Sequence, residues 1–230
     1  MKNKLLKGAH LSERKYREIL QLFCDDLTAT QIADISGVSR VTINNYFRLI
    51  RSAIAGYCDN QYKYVPAPVS NSNGINEDDA EFSVDQPVGY YGFRIQNGKI
   101  GTGWLKEIDE ELIHGLRNIS KSGNGINLTK NLQDYHAIAD CSEWQLYWLN
   151  AGADAANINQ TLSEINGFWS HTKGRLHKFR GMNKKMLYLH IKECEFRYNF
   201  RNDDILMQLI NVINNAKSAQ HPQPEALRFA

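Results

Sequence analysis

Hydrophobic residues repeat at helical spacing in the first quarter of the chain. Behind Ser12, a favourable helix-capping residue, one apolar face contains Tyr16, Ile19, Leu20, Leu22 and Phe23. Apolar positions three and four residues apart lie on one side of an α-helix, so this face predicts a helix over residues 12–25. Two further helical stretches follow between residues 29 and 58. The pattern therefore predicts a three-helix unit that ends near Cys58.

From Glu81 onward, short apolar segments suited to strands replace the helical repeat. Residues 82–84, 90–95 and 99–105 are predicted to form three short strands. Asn97-Gly98 predicts a tight hairpin between the last two, because both residues tolerate a positive φ. The pattern then predicts a helix, a short buried strand, a further apolar segment and two more helices, at 109–119, 137–140, 144–149, 162–175 and 186–198.

Composition separates these elements into four parts. Residues 59–80 contain two prolines, Ser-Asn pairs and an acidic run, which is typical of a linker. We predict an α+β protein with an N-terminal three-helix domain over 1–58 and an α/β domain with a mixed sheet over 81–215. The polar residues 216–230 are predicted to be a disordered tail.

Residues 29–51 have the spacing of a helix-turn-helix, with Ala29 as the first position. The small residue Ala33 falls where two such helices cross most closely, and Gly37 falls at the turn, where the backbone needs a positive φ. Ser39 is a favourable N-cap for the second helix. The apolar side chains expected to hold the second helix against the first are Val38, Ile43 and Tyr46.

The remaining surface of the second helix is rich in hydrogen-bond donors and acceptors. Such side chains bind base edges and phosphates of duplex DNA. The ordinary alternative is a helical hairpin whose polar face is merely solvated. We favour DNA binding because the structural positions of the motif agree with one another. The candidate DNA-binding residues are Arg40, Thr42, Asn44, Asn45, Arg48 and Arg51.

The net charge of +2 conceals two basic segments around an acidic middle. Residues 1–51 hold nine Lys and Arg against five Asp and Glu, and residues 173–201 hold nine against two. Residues 52–172 hold seven against fifteen. Both basic segments are candidate phosphate-binding surfaces, whereas carboxylates for a metal have to come from the middle.

The spacing of the cysteines and the hydropathy of the chain indicate the cellular compartment in which we expect the protein. The four cysteines form no CxxC pair, and the first residues lack the apolar core of a signal peptide. No run approaches the ~20 apolar residues of a membrane span. We expect a cytoplasmic, nucleoid-associated protein with no membrane partner.

Two stretches of the second half carry a resemblance to a known family. One is Ile165-Asn166-Gly167-Phe168-Trp169-Ser170, with Lys173 and Arg175-Leu176 behind it, and the other runs from Leu187 to Asn199. With Glu81–Asp85 and the N-terminal helices, they resemble bacterial insertion-sequence transposases of family fifteen-ninety-five. The resemblance covers most of residues 9–201 and is most specific at 165–199.

This resemblance implies a ribonuclease-H-like catalytic domain that uses two aspartates, a third Glu or Asn, and a Lys seven positions later. The matching residues are Asp85, Asp140, Asn166 and Lys173, and Arg175 falls among the DNA contacts. The implied cofactor is Mg²⁺ or Mn²⁺, because two divalent ions on carboxylates activate the attacking oxygen and stabilise the leaving oxygen of a phosphoryl transfer.

The second aspartate has two candidates. Asp140 ends a strand-like run, whereas Asp134 gives a spacing to Asn166 closer to that of the family, and we favour Asp140. The chain departs from the family where Gln86 follows the first aspartate and where a neutral Asn166 takes the third position. A neutral amide holds Mg²⁺ more weakly than a carboxylate does.

These features lead to two main functional hypotheses. The first is a transposase that binds the terminal repeats and target DNA as a homodimer or higher multimer, and cuts and joins strands. The alternative is a catalytically inactive or domesticated transposase-derived DNA-binding protein. A third interpretation, a transcription factor with a ligand-sensing second domain, rests on the apolar cluster Trp144, Tyr147 and Trp148.

Overall fold

The structure, a computed structural model, describes residues 11–61, 89–105, 108, 111–115, 132, 134–149, 158–177 and 184–220. Six helices of eight or more residues and four strands lie in these ranges. The helices are α1 (Glu13–Cys24), α2 (Ala29–Ser36), α3 (Arg40–Gln61), α4 (Ile158–Leu176), α5 (Lys184–Asn199) and α6 (Ile205–Gln220). The strands are β1 (Tyr90–Gln96), β2 (Lys99–Trp104), β3 (Ala137–Asp140) and β4 (Gln145–Trp148). Residues 111–115 are also helical.

The chain divides into two compact units. The first contains residues 1–57 and 200–230, and the second contains residues 58–199. The prediction placed residues 200–215 in the second domain, whereas α6 packs against α1 in the first unit. Local apolar spacing specifies a helix but not the surface on which the helix packs, so this assignment needed the tertiary structure.

The three helices α1, α2 and α3 confirm the predicted helical pattern. The Ser12 hydroxyl caps α1 by accepting from Lys15 N, and Thr28 and Gln31 form a reciprocal capping box at the start of α2. The apolar face of α1 packs as predicted, with Ile19 and Phe23 buried. From the other two helices the core receives Ile32, Ile43, Tyr46, Phe47, Ile50 and Ile54.

The described strands of the second unit form one antiparallel sheet in the order β2-β1-β3-β4. The hairpin between β1 and β2 is confirmed, because Asn97 and Gly98 have φ values of 52° and 70°. The prediction of a mixed sheet is wrong for these four strands, since β3 runs antiparallel to both neighbours. Strand periodicity reports which residues face a core, but it carries no information on strand direction.

Helices α4 and α5 pack on one face of this sheet. Phe93 of β1 contacts Phe168 of α4 edge-to-face and Trp169 of α4 in a tilted pair, and α5 lies against β2. Alternate residues of β1 point to opposite faces, so Tyr91 and Phe93 join the α4–α5 core while Tyr90 joins a second cluster. The sheet is therefore buried on both sides.

Several predictions lie outside the described residues or extend beyond them. The linker prediction overlaps α3 at residues 59–61, and residues 62–80 are outside the described part, as are the predicted strand at 82–84 and Asp85. The predicted tail overlaps α6, which extends to Gln220, whereas residues 221–230 are outside. None of the described helices is long and apolar enough to cross a membrane.

Candidate nucleic-acid interface and catalytic positions

The turn between α2 and α3 has the geometry that the motif requires. Gly37 adopts φ 68° and ψ 13°, and its N–H donates to the Ala33 carbonyl at 2.9 Å. The buried Ser36 hydroxyl accepts from Val38 N at 3.2 Å and so supports the next peptide of the turn. A glycine in the left-handed region ends α2 without the steric strain that a Cβ would bring.

Ser39 caps α3 as predicted. Its Oγ accepts from the backbone N–H of Thr42 at 3.2 Å, and the hydroxyls of the two residues lie 2.9 Å apart. Thr42 was predicted to contact DNA, but its hydroxyl is already engaged with Ser39. Its first structural role is therefore to hold the start of the helix.

One face of α3 carries four of the predicted DNA-binding residues toward solvent. Arg40, Asn44, Asn45 and Arg48 are exposed. The opposite face is completely buried and consists of Ile43, Tyr46, Phe47 and Ile50. Because residues three and four apart share a helix face, Asn44 and Asn45 both lie beside Arg48 and form a polar stripe with it.

Arg51, the last predicted DNA-binding residue, differs from the others. Its side chain is 6% exposed, and its guanidinium carbon lies 4.9 Å from the ring centroid of Phe47 and 5.8 Å from that of Phe23. This geometry is a cation–π contact within the first unit. The predicted contact of Arg51 with DNA does not fit this burial. The sequence shows only an arginine on a predicted helix and does not indicate that its side chain is buried.

Asp140 ends β3, as predicted from the strand-like run before it. Its side chain is 1% exposed, and its Oδ1 accepts from the backbone N–H groups of Ser142 at 2.8 Å and Glu143 at 3.1 Å. These bonds make Asp140 the organiser of the turn that leads into β4. Asp134, the alternative, is exposed in the segment before β3. Asp85 lies outside the described residues.

Asn166 and Lys173 lie on α4, seven residues and about two turns apart. Asn166 is exposed and Lys173 is half-buried, whereas Phe168 and Thr172 face the core. The Lys173 Nζ is 5.5 Å from the ring centroid of Trp169. The helix thus presents both predicted side chains away from the core.

An aromatic contact joins this helix to the turn that Asp140 organises. Trp144, at the end of that turn, lies 6.0 Å from Trp169 and stacks on His177 at 5.0 Å, measured between ring centroids. Trp144 has a positive φ of 58°, which is uncommon for a large side chain. The structure therefore brings the neighbourhoods of Asp140 and Lys173 together through Trp144 and Trp169.

The chain is similar to one curated transposase-like protein. It is 33% identical over 86 residues to an uncharacterized transposase-like protein of Haemophilus influenzae, a match that spans 37% of this chain and 68% of that relative. The chain belongs to the family of transposase-like proteins. No family model and no solved structure matches this transposase-like chain.

Part of the second basic segment of this transposase-like protein is occupied by internal ion pairs. Arg175, predicted to contact DNA, is 4% exposed, and its Nη2 lies 2.7 Å from Oε1 of Glu193. The same oxygen accepts from Nε of Arg197 at 2.9 Å. The predicted DNA contact of Arg175 does not fit this burial. Charge counts along the sequence could not separate it from exposed basic residues.

Lys192 is also buried, and it forms ion pairs with two carboxylates. Its Nζ lies 3.2 Å from Glu195, 2.8 Å from Asp59 and 2.7 Å from the Thr102 carbonyl. Burial lowers the pKa of Lys192, but Glu195 and Asp59 outweigh that effect and raise the pKa above its ordinary value. Lys192 is therefore charged and structural, and it is not available to bind a phosphate.

The described donors do not by themselves make a magnesium site. In the ranges that the structure describes, no three His, Cys, Asp or Glu residues are grouped to hold a metal ion. Oδ1 of Asp140 already accepts hydrogen bonds from two backbone N–H groups, and the side chain of Asn166 is a neutral amide. The remaining predicted ligand, Asp85, lies outside the described residues.

Proposed function

We propose that this transposase-like chain binds duplex DNA through the exposed face of α3, and that it does so at the ends of its own mobile element. The observation that carries the proposal is the separation of α3 into two faces. Ile43 and Tyr46 lock the helix to the core, while Asn44, Asn45 and Arg48 lie exposed on the other side.

The chemistry of this face suits a major groove. An α-helix fits the groove, amides pair with the adenine edge, and guanidinium groups bind guanine or phosphate. The left-handed turn at Gly37 and the Ser39 cap present the first turn of α3, which is the part that reaches base edges in such motifs.

The test is fluorescence anisotropy with duplexes taken from the DNA that flanks the gene, compared with shuffled duplexes. Arg48→Ala should weaken binding about tenfold and lower the dependence on salt, because a phosphate or base contact is lost. Arg17→Ala is the matched control, since Arg17 is an exposed arginine of α1 paired with Glu13 at 3.4 Å. Equal affinity for all duplexes, or equal effects of the two variants, would overturn the proposal.

Metal-dependent strand cleavage and joining is the catalytic part of the same proposal, and it derives from the resemblance. Asp85, Asp140 and Asn166 would hold Mg²⁺ or Mn²⁺, which would activate the attacking oxygen when bound. Lys173 would contact the DNA backbone, and a homodimer or higher multimer would hold paired element ends. The positions of Asp140 at a strand end and of Asn166 and Lys173 on the outer side of α4 support this assignment.

The alternative, an inactive or domesticated transposase that only binds DNA, is favoured by the bonds of Asp140. A carboxylate oxygen that caps a turn is a weaker metal ligand than one without protein partners. Incubation of the flanking duplex with Mn²⁺ and the wild-type chain or Asp85→Asn separates the two. Nicks at defined positions that disappear in Asp85→Asn support the transposase, whereas specific binding without nicks supports the alternative.

A further inference from the structure

Val41 is an apolar side chain at the centre of the face that α3 presents to solvent. It is 71% exposed, more than Ile35 and Met207, which are each 56% exposed. Residues 44, 45 and 48 lie three, four and seven positions after Val41, so their side chains follow it along the same helix face. The buried side of the helix, centred on Ile50 and Ile43, lies opposite.

The chemistry around Val41 is specific. A single exposed valine on a protein surface is ordinary, but this one lies among two carboxamides and a guanidinium that already form the candidate DNA interface. Thymine is the only base with a methyl group on its major-groove edge, and small apolar side chains contact that methyl. The partner base, adenine, offers the donor and acceptor pair that a carboxamide matches.

We propose that α3 selects a site rich in A·T pairs, in which Val41 contacts the C5-methyl group of a thymine and Asn44 or Asn45 bonds an adenine edge. Arg48 and Arg40 then bind phosphates or a flanking guanine. This inference rests on the proposed DNA binding by α3 and adds the base chemistry that the site reads. Val41 is a specificity-determining residue outside the set of DNA-binding residues that the sequence pattern predicted.

The experiment begins with selection of preferred duplexes from a random library by the full chain. Each thymine of the selected duplex is then replaced by deoxyuridine, which removes only the methyl group. Wild-type protein should lose about fourfold in affinity at one or two positions, the value of one methyl group removed from water. Val41→Ser, which removes both methyl groups of the side chain, should bind the thymine and deoxyuridine duplexes about equally at those positions.

Met207→Ala is the matched control, because Met207 is an exposed apolar residue of α6 outside this face. It should keep the wild-type preference for thymine. Specific binding that tolerates deoxyuridine at every position, or a deoxyuridine effect that persists in Val41→Ser, would overturn this inference alone. Selection that yields no preferred sequence would overturn the proposed function as well.

Discussion

The Tyr135 ring fills the space above Gly103 that a side chain on β2 would need. A Cβ added to Gly103 would overlap the Tyr135 hydroxyl oxygen. The same ring covers Gly92, which is paired with Gly103 across the β1–β2 ladder, and a Cβ there would lie 2.5 Å from a ring carbon. The two paired glycines thus leave space on this face of the sheet for the Tyr135 ring. Tyr135 packs there in the cluster that contains Ile138 and Tyr147.

Gly103→Ala should destabilise the second unit by about 2 kcal/mol, as overpacking of a filled site does. In a Tyr135→Phe background the cost should be smaller, because the atom that overlaps most is the hydroxyl. Gly92→Ala is the control, since it meets ring carbons that Phe retains, and its cost should be the same in both backgrounds. Urea unfolding of the wild type, the single variants and the double variants measures the coupling energy between each glycine and Tyr135. Identical costs of Gly103→Ala in both backgrounds would contradict this packing.

Glu193→Gln should lower the free energy of unfolding by about 3 kcal/mol, because it leaves the buried Arg175 and Arg197 without their shared carboxylate. The comparison is Glu13→Gln, which breaks the exposed pair with Arg17 and should cost about 0.5 kcal/mol or less. Chemical denaturation of both variants is the measurement. Equal small effects would show that the buried pair carries little stability.

Acid should destabilise the second unit through His136. Its Nδ1 accepts from the Ile95 N–H at 3.3 Å, and burial lowers the His136 pKa from 6.5. The folded state therefore binds fewer protons than the unfolded chain in this region. The stabilising contribution is present above pH 6.5 and is lost as the pH falls through the folded pKa.

Thermal unfolding between pH 8 and 5 tests this expectation. The Tm of the wild type should fall more steeply below pH 6.5 than that of His136→Gln, which has no group to protonate. Parallel Tm profiles would contradict a role of His136 in the acid sensitivity.

Gly37→Ala should destabilise the first unit by about 1 kcal/mol, since alanine resists the φ of 68° and the added Cβ meets no other atom within 4 Å. Gly56 offers a matched control because it lies in α3, also with open space around an added Cβ. Gly56→Ala should stabilise the protein by up to about 1 kcal/mol through helix propensity. Changes in Tm of opposite sign for the two variants would confirm that backbone conformation, and not packing, causes the difference between the two glycines.

The candidate interface shows how far sequence patterns reach. Gly37, Ser39 and the hairpin at Asn97-Gly98 were predicted because each role depends on the conformational preference of one or two residues. The exposure of Val41 was missed, since an apolar residue beside a polar stripe is ordinarily assigned to the core. Arg51 and Arg175 were assigned to DNA from their places in predicted motifs, and only their aromatic and carboxylate neighbours show their structural roles.

The sequence by itself determined the helix caps, the turns and the amphipathic faces, because those depend on interactions within a few residues. Only the tertiary structure decided that β3 runs antiparallel to β1, that α6 packs with α1, and that α5 buries Lys192 and Glu193 as ion pairs. These outcomes depend on residues that are distant in the chain and meet only after folding. Charge and periodicity along the sequence contain no record of which partner each residue meets.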